Sequence, residues 1–221
     1  MLIIFYLFEL AFHLLINRVF CNYKKIYLKK EVHIKMKIWK LRLDAGKRED
    51  SQQYQLVNED NHFLEDFDTM INSLERQLWK LRELEVHVIS GRKEFDISYL
   101  WNGTSLFLLN ERAKNILEPV LSEYVEFLPV IYKKPLYLMH VLRVADALDL
   151  DNIITDTYAG KIGYIKKFAF KEERIPPFPI FRILCEGRLY TGVIFVKDEF
   201  KKIIEENGLT GFSFEEVGEY Q

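Results

Sequence analysis

The sequence predicts a single α+β domain, built mainly from an antiparallel sheet with a few packed helices. The chain of 221 residues can bury one substantial core, whereas two full domains would be cramped. Hydrophobic residues make up 49% of it and charged residues 29%, which is typical of a globular protein. Apolar runs of strand length outnumber helical patterns and do not alternate regularly with them, which favours α+β over a sheet of β-α-β units.

The first half of the domain is predicted to hold short strands and one long helix. Met36–Leu43 has a mixed apolar alternation that indicates a first strand, and residues 53–57 are expected to return as its hairpin partner. In residues 61–84, apolar side chains recur at spacings of three and four, as in an amphipathic helix. Further short strands are predicted at residues 86–89 and 105–109.

The second half begins with the clearest helical pattern, at residues 110–121. Asn110 can cap this helix, its apolar side chains form one face, and Pro119 should bend or end it. A short helix is predicted at residues 197–206, stopped by the Asn-Gly pair that follows. The remaining strands are expected at residues 125–132, 136–141, 163–170, 178–184, 192–196 and 212–217.

The core is expected to be rich in aromatic rings, because Phe, Tyr and Trp make up 14% of the chain. Six large side chains lie on the apolar faces of their segments and are predicted to be largely buried. They are Trp39, Phe107, Leu117, Phe181, Phe195 and Phe212.

The cysteine content indicates a reducing compartment. Cys21 and Cys185 are the two cysteines of the chain, too few for a disulfide framework or a zinc site. Cys185 stands in an apolar strand pattern, where an inert buried thiol is expected. The sequence therefore predicts a cytoplasmic protein.

Residues 1–35 differ in kind from the domain at 36–221. The apolar run 1–20 is interrupted by polar and charged residues, which makes it a marginal membrane anchor, and it lacks the features of a secretory signal. Of the first 35 residues, 19 are Phe, Tyr, Ile, Lys or Asn, whose codons are AT-rich. Residues 30–32 can be encoded by a purine-rich ribosome-binding sequence, three codons before Met36. We therefore favour translation of upstream DNA over a membrane anchor.

The sequence contains no pattern of catalytic, cofactor-binding or metal-ligating residues. The five histidines lie far apart, and no serine stands in a nucleophile motif. The acidic run at 146–151 lacks the glycine and the final glutamate of a calcium loop, so a structural turn is expected. Gly160 and Gly163 lack the further glycine, lysine and hydroxyl of a phosphate loop. We predict no enzymatic activity, no cofactor and no metal.

Charge is distributed unevenly along the chain. Residues 36–221 carry 25 basic and 31 acidic side chains, and such a body would repel nucleic acid and attract basic partners. From Glu49 to Glu75 there are eight acidic residues and no lysine or arginine. The simpler interpretation is a solvated acidic surface, and the more specific one is a face that pairs with Lys and Arg of a partner. The residues assigned to that face are Glu59, Asp60, Glu65, Asp66 and Asp68.

Five segments carry a resemblance to a known family. They are LFLLNERAKNIL (106–117), EFLPV (126–130), YLMHVLRVADALD (137–149), IFRI (180–183) and VKDEFKKIIEENGLTGFSFEEV (196–217). In this order they resemble a bacterial immunity family, the one numbered eleven among the immunity proteins of polymorphic toxin systems. The helix followed by Gly-Leu-Thr-Gly-Phe-x-Phe is the most specific feature, and the Asn-Glu-Arg-Ala helix start and the Asp-x-Leu-Asp turn come next. Weaker similarity extends back to Met36.

The resemblance implies a non-enzymatic immunity protein that binds and neutralises a cognate bacterial toxin domain in the cytoplasm. It implies a protein partner, with no nucleic acid and no membrane unless residues 1–35 belong to the protein. Two other function classes stay open at this point. One is a membrane-anchored regulatory or interaction protein that uses residues 1–35, and the other is an enzyme with an unrecognised site. The sequence carries no signal for an oligomeric state.

Overall fold

The computed structural model describes residues 35–43, 52–57, 84–100, 106–158 and 160–220, which hold fourteen strands and two α-helices. The first seven strands are β1 Met36–Leu43, β2 Gln53–Leu56, β3 Val86–Ser90, β4 Ile97–Leu100, β5 Phe107–Asn110, β6 Val125–Val130 and β7 Leu136–Val141. The other seven are β8 Val144–Ala145, β9 Ile154–Tyr158, β10 Lys161–Lys167, β11 Ile180–Cys185, β12 Arg188–Leu189, β13 Phe195–Lys197 and β14 Phe212–Tyr220. The helices are α1 Glu111–Leu121 and α2 Asp198–Glu206, and a 3-10 turn spans Glu172–Arg174.

These strands form two six-stranded sheets and one hairpin. The first sheet has the order β12-β11-β13-β1-β14, with β8 beside β11, and the second has the order β3-β2-β4-β5-β7-β6. The hairpin consists of β9 and β10. Pairing between these strands is antiparallel except for β8 with β11 and β2 with β4. The fold is therefore α+β and mainly antiparallel sheet, as the sequence predicts.

The central core joins both six-stranded sheets to both helices. The first sheet contributes Leu41 and Val196, the second contributes Met139, and the helices contribute Leu117 and Phe200. Successive residues of a strand point to opposite faces of its sheet. Each six-stranded sheet therefore has a second apolar cluster on its other face, and these two clusters are built from different residues.

The predicted pairing of the first two strands is wrong. β1 is flanked by β13 on one side and β14 on the other, so both of its edges are occupied. β2 instead lies in the second sheet, between β3 and β4. The reason is packing, because the buried Tyr54 and Leu56 of β2 belong to the apolar cluster of the second sheet. Strands adjacent in sequence are joined here to different sheets.

Both predicted helices of the second half are confirmed. Asn110 caps α1, and its side-chain Oδ1 accepts a hydrogen bond of 2.8 Å from the backbone N–H of Ala113. The helix ends two residues after Pro119, in keeping with the lost backbone donor. α2 ends at Glu206, and Gly208 then adopts a positive φ of 58°.

Five of the six predicted core residues are buried, namely Phe107, Leu117, Phe181, Phe195 and Phe212. The prediction is wrong for Trp39, which is half-buried at the rim of the central core. Its indole N–H donates a hydrogen bond of 2.7 Å to Asp198 Oδ1, and Lys201 Nζ lies 3.7 Å from its ring centroid. The polar edge of the indole keeps this side chain at the surface.

The strands predicted after α1 are present with boundaries shifted by a few residues, and β7 matches its prediction. β4, β8, β9 and β12 have no predicted counterpart. The helix predicted at 61–84 lies outside the described residues, except for Leu84. Residues 1–35 also lie outside them, except for Lys35. In the part of the chain that is described, no helix is long and apolar enough to cross a membrane.

Candidate functional site

A buried carboxylate, Asp96, collects the polar side chains of the two most specific sequence motifs. It lies directly before β4, and its Oδ2 accepts hydrogen bonds of 2.9 Å from the Thr210 backbone N–H, the Thr210 hydroxyl and Arg112 Nη1. Its Oδ1 accepts one of 3.1 Å from Asn110 Nδ2. We call Asp96, Asn110, Arg112 and Thr210 the Asp96 cluster.

The backbone reinforces the Asp96 cluster. The Asn110 N–H donates to the Asp96 carbonyl oxygen at 2.9 Å, and the Ile97 N–H donates to the Thr210 carbonyl oxygen at 3.0 Å. Gly211 follows with φ +110°, and a Cβ added there would overlap the carbonyl oxygen of Ile97. The loop after α2 is thereby fixed to the start of β4, at a distance that only glycine permits.

The electrostatics of the Asp96 cluster favour a charged carboxylate. Burial acts to raise the pKa of Asp96, but the hydrogen bonds from Thr210, Asn110 and Arg112 outweigh it and hold the pKa below its ordinary value. Both carboxylate oxygens are engaged by neighbouring donors. The cluster therefore holds three segments of the fold together.

Other titratable side chains also make contacts within the fold. His140 of β7 and Glu126 of the edge strand β6 are cross-strand partners with largely buried side chains. His140 Nδ1 lies 3.6 Å from Glu126 Oε2. Cys185 is buried, as predicted, and burial raises the pKa of its thiol, which favours the protonated form. Asp149 accepts from the Asp151 backbone N–H and from Asn152 Nδ2, which confirms a structural turn in the acidic run.

One cavity lies beside the second sheet, and the ion pair of Lys134 with Glu94 forms part of its lining. Its walls include Tyr54 and Tyr132, whose rings meet edge to face with centroids 5.3 Å apart. Burial raises the pKa of Tyr54. The volume of about 40 Å³ suits an ordered water better than a substrate. Among the described residues, no group of three or more His, Cys, Asp or Glu could hold a metal ion.

The β9–β10 hairpin presents a different kind of surface. Cross-strand partners of an antiparallel pair share one face, and the pairs here are Ile154 with Lys167 and Tyr158 with Lys161. Asp156 and Lys166 form an ion pair across the same two strands, and a register shift between Ile165 and Lys167 interrupts the regular alternation of faces there. We call these six side chains the outer face of the hairpin. All of them are exposed, and Tyr158 is 85% exposed and Ile154 55%.

The opposite face anchors the hairpin to the body. Ile165 is fully buried and Ile162 partly so, both in the apolar cluster behind the first sheet. The Ile165 backbone N–H donates to the Tyr190 hydroxyl at 3.1 Å, and that hydroxyl donates to the Gly163 carbonyl oxygen at 3.4 Å. The hairpin is thus a fixed projection with one face seated in the core.

A buried lysine supports the same anchor. Lys40 Nζ of β1 lies 5.7 Å from the ring centroid of Tyr164 and 5.4 Å from that of Phe168. Burial, with a smaller contribution from the charge of Arg42, lowers the pKa of Lys40. A desolvated ammonium over two aromatic faces is a favourable cation–π arrangement. It fixes β10 over the first sheet.

The acidic residues assigned to a partner face, Glu59, Asp60, Glu65, Asp66 and Asp68, lie outside the described residues. The outer face of the hairpin was missed because only a strand at 163–170 was predicted in this region. The available signal is weak: residues 154–158 contain three β-branched side chains, and a glycine-containing turn follows before residues 161–167. β9 is rich in threonine and carries an aspartate, which conceals it among loop residues.

Comparison with known families gives one result. The sequence profile of a family described as Immunity protein family (Imm11) matches residues 37–219. That range contains the Asp96 cluster and the hairpin. No curated protein matches the chain.

Proposed function

This chain belongs to the Immunity protein family (Imm11), and we propose that it protects its cell by binding one cognate toxin domain in the cytoplasm and blocking it. The observation that carries the proposal is the family match over residues 37–219. The action is stoichiometric, with no chemical step. The toxin is neutralised because its working surface is covered or distorted while the complex lasts.

The described titratable groups support a binding role over a catalytic one. Asp96 is held by four hydrogen bonds, and Cys185 is buried with a raised pKa. A catalytic site needs perturbed groups that converge on open space where a substrate fits. A binding role needs a sufficient surface, about 1,200–2,000 Å² in total for a specific complex.

The direct test is a titration of toxin activity with purified protein. We expect a neighbouring gene to encode the toxin, and the domain to use is the C-terminal domain of that toxin. We expect inhibition to rise linearly and to be complete at one immunity protein per toxin, with a matching complex in size-exclusion chromatography. Complete inactivation at a small fraction of that ratio would indicate an enzyme instead. No inhibition at any ratio would refute the proposal.

We propose that the acidic segment between Glu49 and Glu75 belongs to the toxin-binding face and steers the encounter. Many toxins that attack nucleic acid are basic, and complementary charge acts mainly on the association rate. Reversing Glu65, Asp66 and Asp68 to lysine together should slow association and flatten its salt dependence. Surface changes of this kind usually alter stability by about 0.5 kcal/mol or less each. Association kinetics that stay unchanged across a salt series would remove this segment from the interface.

A further inference from the structure

We infer that the outer face of the β9–β10 hairpin is a toxin-docking surface, and that it receives an extended segment of the toxin that carries carboxylates beside apolar side chains. This inference rests on the proposed function and adds the location and chemistry of the contact. It differs in place and in charge from the acidic segment between Glu49 and Glu75.

The first reason is the exposure of large side chains on a fixed support. Ile154 is 55% exposed and Tyr158, at the tip of the hairpin, is 85% exposed. Large apolar and aromatic side chains held in water are favourable contact groups, because their burial on binding releases water at little cost in side-chain entropy. The hairpin is anchored by Ile165 and Tyr190, so little order has to be created on binding.

The second reason is charge. The outer face holds three lysines and one aspartate, on a body that is acidic overall. Lys166 is paired with Asp156, whereas Lys161 and Lys167 form no ion pair with any described residue. These two lysines, which lie beside Ile154 and Tyr158, complement a partner segment with carboxylates between apolar side chains. The same lysines would repel a basic segment.

The third reason is the open edge of β9. Within the described ranges, β9 pairs with β10 alone, so its other edge has no strand beside it. The backbone N–H and C=O groups of such an edge can pair with an added strand. On the β10 side, Tyr190 already engages the Ile165 N–H and the Gly163 carbonyl. β9 is therefore the edge along which an extended segment can be added.

The test uses full-length variants and the C-terminal domain of the toxin encoded next to this gene. One variant carries I154S and Y158A, and a second carries K161E and K167E. The matched control carries K133E and K202E, the same charge change on exposed lysines away from the hairpin. Circular dichroism and thermal melting verify folding, and surface plasmon resonance gives the rate constants.

We expect the apolar variant to lose at least 100-fold in affinity, chiefly through faster dissociation. The charge variant should lose at least tenfold, with slower association, and the control should stay within twofold of wild type. If wild type binds and inhibits the toxin while both hairpin variants match the control, the docking surface is refuted and the proposed function stands. Tighter binding by K161E/K167E would refute the acidic partner segment. If wild type does not bind the toxin, the proposed function fails and this inference fails with it.

Discussion

The Asp96 cluster and the outer face of the hairpin use polar side chains in opposite ways. In the cluster, one carboxylate is buried and accepts four hydrogen bonds from residues of the fold itself. On the hairpin, Tyr158, Lys161 and Lys167 extend into solvent with no ion pair to a described residue. A buried group that is hydrogen-bonded within the protein stabilises the fold, whereas an exposed group that is solvated by water is available to a partner.

The comparison also separates the residues that identify the family from those that we propose contact a toxin. Asn110, Arg112, Thr210 and Gly211 belong to the segments that carry the family resemblance, and they all lie in or beside the Asp96 cluster. The hairpin, residues 154–167, lies outside every one of those segments. The motifs therefore indicate a shared scaffold, and the specificity for a toxin is to be sought on the exposed hairpin.

The largest effect is expected from Gly211→Ala. An added Cβ would overlap the Ile97 carbonyl oxygen, and φ +110° is strained for any residue with a side chain. We expect a loss of more than about 4 kcal/mol in the free energy of unfolding, or a chain that does not fold. Gly208→Ala is the matched control, since φ is also positive there but space is open. It should cost only about 1–2 kcal/mol in chemical denaturation.

Phe212→Ala should come next. The ring is 8% exposed and lies edge to face against Phe107, with centroids 4.9 Å apart. Removing a buried phenyl group typically costs about 3–5 kcal/mol. Chemical denaturation measures this, and a loss below about 1 kcal/mol would contradict the burial of the Gly-Leu-Thr-Gly-Phe segment.

Asp96→Asn should have a smaller effect that depends on pH. Hydrogen bonds to charged groups contribute about 1.5–3 kcal/mol, and the amide retains only part of them. Because the folded pKa of Asp96 lies below its ordinary 3.8, the carboxylate stabilises the fold above that pH. That contribution is lost as the pH falls below 3.8 towards the folded pKa. Unfolding free energies measured from pH 7 to pH 2 should therefore converge for wild type and variant, and a constant gap would contradict this role.

A substitution on the outer face of the hairpin should give the smallest effect on stability. Tyr158→Ala removes a ring that is 85% exposed, so the free energy of unfolding should change by about 0.5 kcal/mol or less. Ile165→Ala on the opposite face is the control, since Ile165 is 1% exposed and should cost about 2–5 kcal/mol. Equal losses of unfolding free energy for the two variants would contradict the description of one exposed and one buried face of the hairpin.

Much of the fold could be predicted from the sequence because hydrophobic periodicity and helix capping depend on residues that are close together in the chain. Asn110 marks the start of α1, and the apolar alternation of Met36–Leu43 marks β1. The pairing of β2 could not be predicted, since it depends on which apolar cluster receives Tyr54 and Leu56. The apolar pattern of β1 predicts which face of the strand Trp39 lies on. It does not predict how far Trp39 lies from the edge of the core, so the burial of Trp39 is overestimated.

The candidate site was less accessible to sequence reasoning. Asp96 is a single acidic residue in a short segment, and its partners Arg112 and Thr210 are brought to it by long-range packing. The motif around Gly211 is visible in the sequence, but the reason for the glycine is the nearby Ile97 carbonyl group. The sequence does not predict the hairpin because β9 lacks an apolar–polar alternation, with Thr155, Asp156 and Thr157 as three consecutive polar residues.

Hydrogen exchange of the free protein and of its toxin complex tests most directly the division between scaffold and docking surface. The backbone amides of Ile97 and Thr210 are hydrogen-bonded within the Asp96 cluster and should exchange slowly and equally in both states. The amides of β9 should exchange faster in the free protein and become protected in the complex. Protection gained in the Asp96 cluster, with β9 unchanged on toxin binding, would contradict the account.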